Sequence, residues 1–178
     1  MKKTIALSTI ACAALVGCTS TGVEVVDNSE TTGGFLEGTL GEPFVVRPSL
    51  TNDKARVIVN NVYTSDECPG GLLGWAEGGN YSANNDEHSY LTIEAEALAE
   101  NGGENLSVML DDIWVIMESG FVDVGYAAVE CAPLDGTSDL LDPIPEGEEQ
   151  QKSRTYIVRN EAEKIAIGHY TFNIDKGN

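Results

Sequence analysis

The groups in this 178-residue chain that could do chemistry are two histidines, four cysteines and 29 acidic side chains. Catalysis requires a nucleophile, a base and a stabilising group brought together. His88 stands in Asn84-Asn85-Asp86-Glu87-His88-Ser89, a polar run in which an imidazole is expected to be solvated. His169, in Gly168-His169-Tyr170-Thr171-Phe172, reads as a partly exposed strand residue. The chain has no G-x-S-x-G and no H-E-x-x-H. Gly70-Gly71 and Gly78-Gly79 lack the lysine and following helix of a phosphate cradle. Hard cations take several carboxylate and carbonyl oxygens, so Asp135, Asp139 and Asp142 form a weak calcium candidate. Asp111-Asp112 is another acidic pair that a turn between strands explains. The sequence therefore predicts no catalytic residue, no resident metal and no cofactor. A hydrolase built from scattered carboxylates is the enzymatic alternative, weakened because so many acids make accidental pairs abundant.

The cysteines divide by position. Met1-Lys2-Lys3 is followed by a small-residue apolar run from Thr4 to Val16. That run is too short to span a bilayer, which takes about 20 helical residues, and it reads as a signal peptide over 1–17. Its end, Leu15-Val16-Gly17-Cys18, resembles the cleavage box of bacterial lipoproteins. The resemblance implies cleavage before Cys18 and acylation of its thiol. Thr19, in place of an aspartate, implies sorting to the outer membrane in a Gram-negative host. Two or three acyl chains anchor stably where one does not. Cleavage removes two lysines and no acid, taking the charge from −19 to −21. Cys12 leaves with the signal, so Cys68 and Cys131 remain as an expected disulfide in an oxidising compartment. Two free thiols or a zinc site are the alternatives, and zinc has no CxxC and only two histidines to draw on.

Charge narrows the partners. Between Arg56 and Lys152 no Lys or Arg occurs over 95 residues, which hold 20 acids. Nucleic acid and anionic lipid require basic patches, so neither is an expected partner, and the membrane is met only through the N-terminal lipid. The acidity itself is expected to keep the protein soluble and monomeric; a docking face for a basic protein partner is the sharper alternative.

These groups must be placed by the elements around them. Residues 18–42, rich in Ser, Thr, Gly and Glu, read as the lipidated cysteine and a flexible tether, with a reach on the order of 25–30 Å. The domain is expected over 43–178. Period-two runs predict strands at Arg56–Tyr63, Tyr90–Leu98, Phe121–Cys131, Thr155–Val158 and Lys164–Ile174. Leu106 to Met117 is ambiguous: its apolar residues also fit helical spacing, yet Ile113-Trp114-Val115-Ile116 is β-rich, and strand–turn–strand is favoured. Two long loops remain. Ser65–Ser89 carries Cys68 and the apolar group Leu72, Leu73 and Trp75; Pro133–Ser153 is acidic and proline-rich. Loops of this length tend to be functional or disordered. Leu72, Leu73 and Trp75 are the candidate partner-binding residues, with a loop folding back to cap the domain as the equal alternative. The expected fold is an all-β, immunoglobulin-like sandwich, the alternative being α+β with one helix near 106–118.

The order of these pieces resembles the telokin-like, immunoglobulin-fold domain of bacterial lipoproteins of unknown function. Gly41-Glu42-Pro43-Phe44-Val45-Val46 fits its lead-in, Val57–Val62 its first strand, Tyr90–Gly103 its central strand and turn, and Leu106–Met117 the next segment. The Gly-rich insert and the pair Cys68/Cys131 depart from that pattern. The resemblance implies a sandwich and carries no activity, since sandwiches host unrelated functions. The functional expectation is a lipid-anchored, non-catalytic binding or assembly domain of the cell envelope. A pilotin-like accessory factor, holding a hydrophobic tail in an acidic groove, is the alternative.

Overall fold

The computed structural model describes residues 34–46, 54–77, 87–101 and 113–177. The expected signal, Cys18, most of the tether, Leu106–Leu110 and Asp111-Asp112 lie outside the described residues.

The chain is all-β. Among the described residues ten strands run β1 (Leu36–Glu37), β2 (Pro43–Val46), β3 (Lys54–Ser65), β4 (His88–Asn101), β5 (Ile113–Met117), β6 (Val122–Ala127), β7 (Ser138–Asp139), β8 (Glu149–Arg159), β9 (Ala162–Ile167) and β10 (Tyr170–Asn173). They line up as β1-β10-β9-β5-β6-β8-β4-β3-β2, with β7 beside β8. Apart from the parallel pairs β1–β10 and β7–β8, neighbouring strands are antiparallel. The sheet folds over at β6. Its residues Val124 and Gly125 pair with β5, and the next two, Tyr126 and Ala127, pair with β8. Gly125 is at the corner because a Cβ there would stand 2.9 to 3.1 Å from Val158, Ile113 and Val115 side chains, closer than packed carbon atoms allow.

The two halves also meet at their far edges. The Thr64 amide donates to the Asp175 carbonyl at 2.9 Å, and the Asp175 amide to the Val62 carbonyl at 2.8 Å. Phe44 of β2 packs on Tyr170 and Phe172 with ring centroids 4.8 and 5.4 Å away. The result is a curled sandwich whose exposed edges are short strands, which limits edge-to-edge pairing.

Alternation decides what fills it. On β3, Val57, Val59 and Val62 point inward, with a register shift between Val59 and Asn61 keeping Val62 on that face. On β4 the inward set is Leu91, Ile93, Ala95, Ala97 and Ala99. Ile113, Val115 and Met117 of β5 face them together with Ile165 and Phe172.

Pairing begins upstream of the expected domain start at Pro43: β1 pairs with β10, and the Gly41 amide donates to the Val59 carbonyl at 2.8 Å. The segment Ile113–Met117 is a strand and not part of a helix, because its alternate residues are buried with a period of two. The strand expected over Lys164–Ile174 is a hairpin, turned at Gly168 with φ 59°. Strand β8 starts six residues before Thr155, inside the expected loop.

Candidate functional site

The first expected site, Leu72, Leu73 and Trp75, is held by the Cys68–Cys131 disulfide, which the structure contains with Cα atoms 5.3 Å apart. Gly70 lies against the carbonyls of Ala132 and Pro133 where no side chain fits, and Gly71 turns with φ 80°. The two segments then pair. The Ala132 amide donates to the Gly71 carbonyl at 2.9 Å and the Leu73 amide to the Glu130 carbonyl at 2.8 Å. Leu72 bridges Cys131. Beneath this flap Tyr90, Ala128 and Cys131 are buried with Cys68 and Ile157 packed on them, a small second core outside the main one. The Tyr90 hydroxyl donates to Glu130 Oε1 at 3.1 Å. Leu72 and Leu73 are half-buried and Ala76 is buried, whereas Trp75 is 60 % exposed. The segment therefore caps the sandwich and presents one aromatic ring.

The acidic loop after Pro133 is a plug. Leu140 and Ile144 are fully buried in the main core. Lys152 and Arg154 lie on the inward face of β8, opposite Ala95 and Ile93, and they hold the loop. Both carboxylate oxygens of Asp139 accept from Arg154 Nη1, at 2.6 and 2.7 Å. Lys152 Nζ donates to the Asp142 carbonyl at 2.9 Å. Burial pushes the Lys152 ammonium below its ordinary value, with the Asp142 and Asp139 charges pulling the other way. Asp139 thus serves an internal ion pair, and Asp135 is exposed in a turn. Among the described residues no three His, Cys, Asp or Glu side chains gather as metal ligands. His88 opens β4 and is half-buried; His169 is exposed in the β9–β10 turn.

The face that stands out was not singled out from sequence. Since Ile113, Val115 and Met117 point inward, Trp114 and Ile116 point outward. Across the pair, Trp114 is opposite Val124 and Ile116 opposite Val122. On the other side they meet Ala166 and Lys164 of β9. Tyr126 continues the row beside Ile157. Trp114 is 55 % exposed, Val122 40 %, Tyr126 61 % and neighbouring Phe121 66 %. Contiguous exposed apolar faces of this kind are uncommon on folded domains. The available signal was Ile-Trp-Val-Ile-Met, apolar at both parities, a pattern that requires cover on both sides of a strand.

At the Phe121 end the face runs into a groove of about 560 Å³ between the β5–β6 and β8–β9 turns, lined by Met117, Glu118, Ser119, Phe121, Asp123, Arg159 and Glu161. Arg159 Nε pairs with Asp123 at 3.0 Å. The Glu118 amide donates to the Glu161 carbonyl at 3.2 Å, which sets these two acids side by side. Neither carboxylate has an ion-pair partner among the described residues.

No family model matches the chain, and no curated protein does. Among solved structures it is similar to MPT63, a secreted protein of Mycobacterium tuberculosis, with 14 % identity and a TM-score of 0.52. The match covers 80 % of this chain and 99 % of that one. At that identity the likeness speaks for the architecture alone, and the architecture is an immunoglobulin-like β-sandwich.

Proposed function

We propose that the protein is a lipid-anchored, non-catalytic domain of the cell envelope that binds a protein partner through the outer face of β5 and β6. The observation that carries this reading is the apolar row Trp114, Val122 and Tyr126, three large side chains left in water on a well-filled sandwich. Aromatic anchors of this kind dominate binding energies in protein interfaces. The envelope location rests on the cationic apolar N-terminus, the Leu15–Cys18 box and the Cys68–Cys131 disulfide, which belongs to an oxidising compartment. That the similar MPT63 is a secreted protein is in keeping with it. In a Gram-negative host Thr19 after Cys18 points to the outer membrane, and the residues between it and β1 serve as the tether.

The test is site-specific photo-crosslinking in the native envelope. A photoreactive residue at 126 is expected to give a discrete protein adduct that Trp114→Ser abolishes, while the same probe at 135, in an exposed turn outside β5 and β6, gives none. Identical adducts from both positions, or none from 126, would overturn the reading.

A further inference from the structure

We infer that the β5–β6 face receives a cationic amphipathic helix of its partner, apolar side chains along Trp114–Val124 and a basic residue in the Phe121 groove. The inference rests on the partner-binding reading above and specifies the chemistry of the partner. Three observations converge on it.

The first is size. The apolar row runs over β5 and β6 and reaches Ala166 of β9, and strands lie about 4.8 Å apart. The stripe is thus roughly 10 Å wide, the diameter of one helix. Val122 to Tyr126 runs about 13 Å along β6 at roughly 3.3 Å per residue, enough for two to three helical turns. An amphipathic helix on an apolar surface is a recurrent recognition mode.

The second is charge. The groove at the end of the stripe holds Glu118, Asp123 and Glu161 against one cation, and that cation, Arg159, is already paired with Asp123. Of the other cations nearby, Lys164 is 3.5 Å from Glu37, and Lys176 Nζ donates to the Asn160 carbonyl at 3.3 Å. Glu118 and Glu161 are left to meet a basic group. Phe121, 66 % exposed in the same groove, offers the ring face that a Lys or Arg side chain favours.

The third concerns other occupants. A second copy of a chain carrying −19 would set one acidic rim against another. An anionic bilayer meets the same repulsion.

The experiment uses the full chain with Cys18→Ser, which dispenses with acylation, and Trp75→Phe, which leaves Trp114 as the sole tryptophan. The probe is a synthetic 14-residue amphipathic helix with leucines on one face and lysines on the other. Its matched control carries glutamates in place of the lysines. The lysine helix is expected to shift Trp114 emission to the blue and to bind at least about 10-fold more tightly than the glutamate helix. Calorimetry is expected to show Trp114→Ala weakening binding by about 10-fold or more. The pair Glu118→Lys and Glu161→Lys is expected to reverse the preference. These side chains are exposed, so folding is unaffected. Equal binding of both helices, unchanged affinity in Trp114→Ala, concentration-dependent dimerisation that buries Trp114, or a blue shift on vesicles of phosphatidylethanolamine and phosphatidylglycerol would each overturn the inference. If photo-crosslinks from position 126 persist while the lysine helix fails to bind, the helix chemistry falls and the partner-binding reading stands.

Discussion

Breaking the Cys68–Cys131 bond tests how the flap and the sandwich are held together. The two residues are 63 apart in sequence. Closing a loop of that length removes unfolded-state entropy equivalent to about 4 kcal/mol at 25 °C. The effect belongs mainly to the denatured chain, because the flap keeps the Gly71–Ala132 and Leu73–Glu130 hydrogen bonds after the sulfurs part. Two perturbations separate the contributions. Reduction leaves the side-chain carbon skeleton in place, and Cys68→Ala with Cys131→Ala also removes sulfur from the small core with Tyr90 and Ala128. Urea unfolding is expected to show a loss of about 4 kcal/mol on reduction, slightly more in the double variant, and a midpoint lower by roughly 10–15 °C in heat. The urea slope is expected to rise, because the reduced unfolded chain exposes more surface. A reduced protein within about 1 kcal/mol of the oxidised one, at an unchanged slope, would refute the reasoning.

Further outcomes follow from individual residues. Gly125→Ala pushes a methyl group into Val158, Ile113 and Val115 at the sheet corner, and urea unfolding is expected to record a loss of about 1–3 kcal/mol. The lowered Lys152 titration links stability to pH. Below its folded value both states hold the proton and the burial cost is fully present; as pH rises towards 10.5 the native state releases its proton before the unfolded chain does, so stability rises. In parallel unfolding curves across that window, Lys152→Met is expected to lose this rise. Because Asp139 is engaged by Arg154, exchanging a chelator for millimolar calcium is expected to leave the melting temperature unchanged. Labelled palmitate is expected to enter the protein in its native host and to be absent from Cys18→Ser.

Much of the architecture could be read along the chain because antiparallel strands with one wet face write their pairing as alternation. Tyr90–Leu98 alternates apolar with Thr and Glu, and the structure buries Leu91, Ile93, Ala95 and Ala97 as that pattern requires. The cysteines could be paired by elimination once Cys12 and Cys18 were assigned to the N-terminal segment. Strand β8 begins before its sequence pattern indicates because Lys152 and Arg154 occupy inward positions. An inward cation breaks the apolar pattern, and only the acidic loop folded onto it explains why it is tolerated.

The outer face of β5 and β6 shows the same division. That Trp114 belongs to a strand follows from its neighbours, since Ile, Val and Trp favour a pleated surface. Which side of that strand meets the core is a matter of register, and a slip of one residue would exchange the two faces. With Ile113, Trp114, Val115, Ile116 and Met117 all apolar, local sequence expresses no preference between them. The choice falls to the folded molecule, where the Gly125 corner admits Ile113 and Val115 against Val158. Trp114, on the opposite parity, is left on the surface beside Val124.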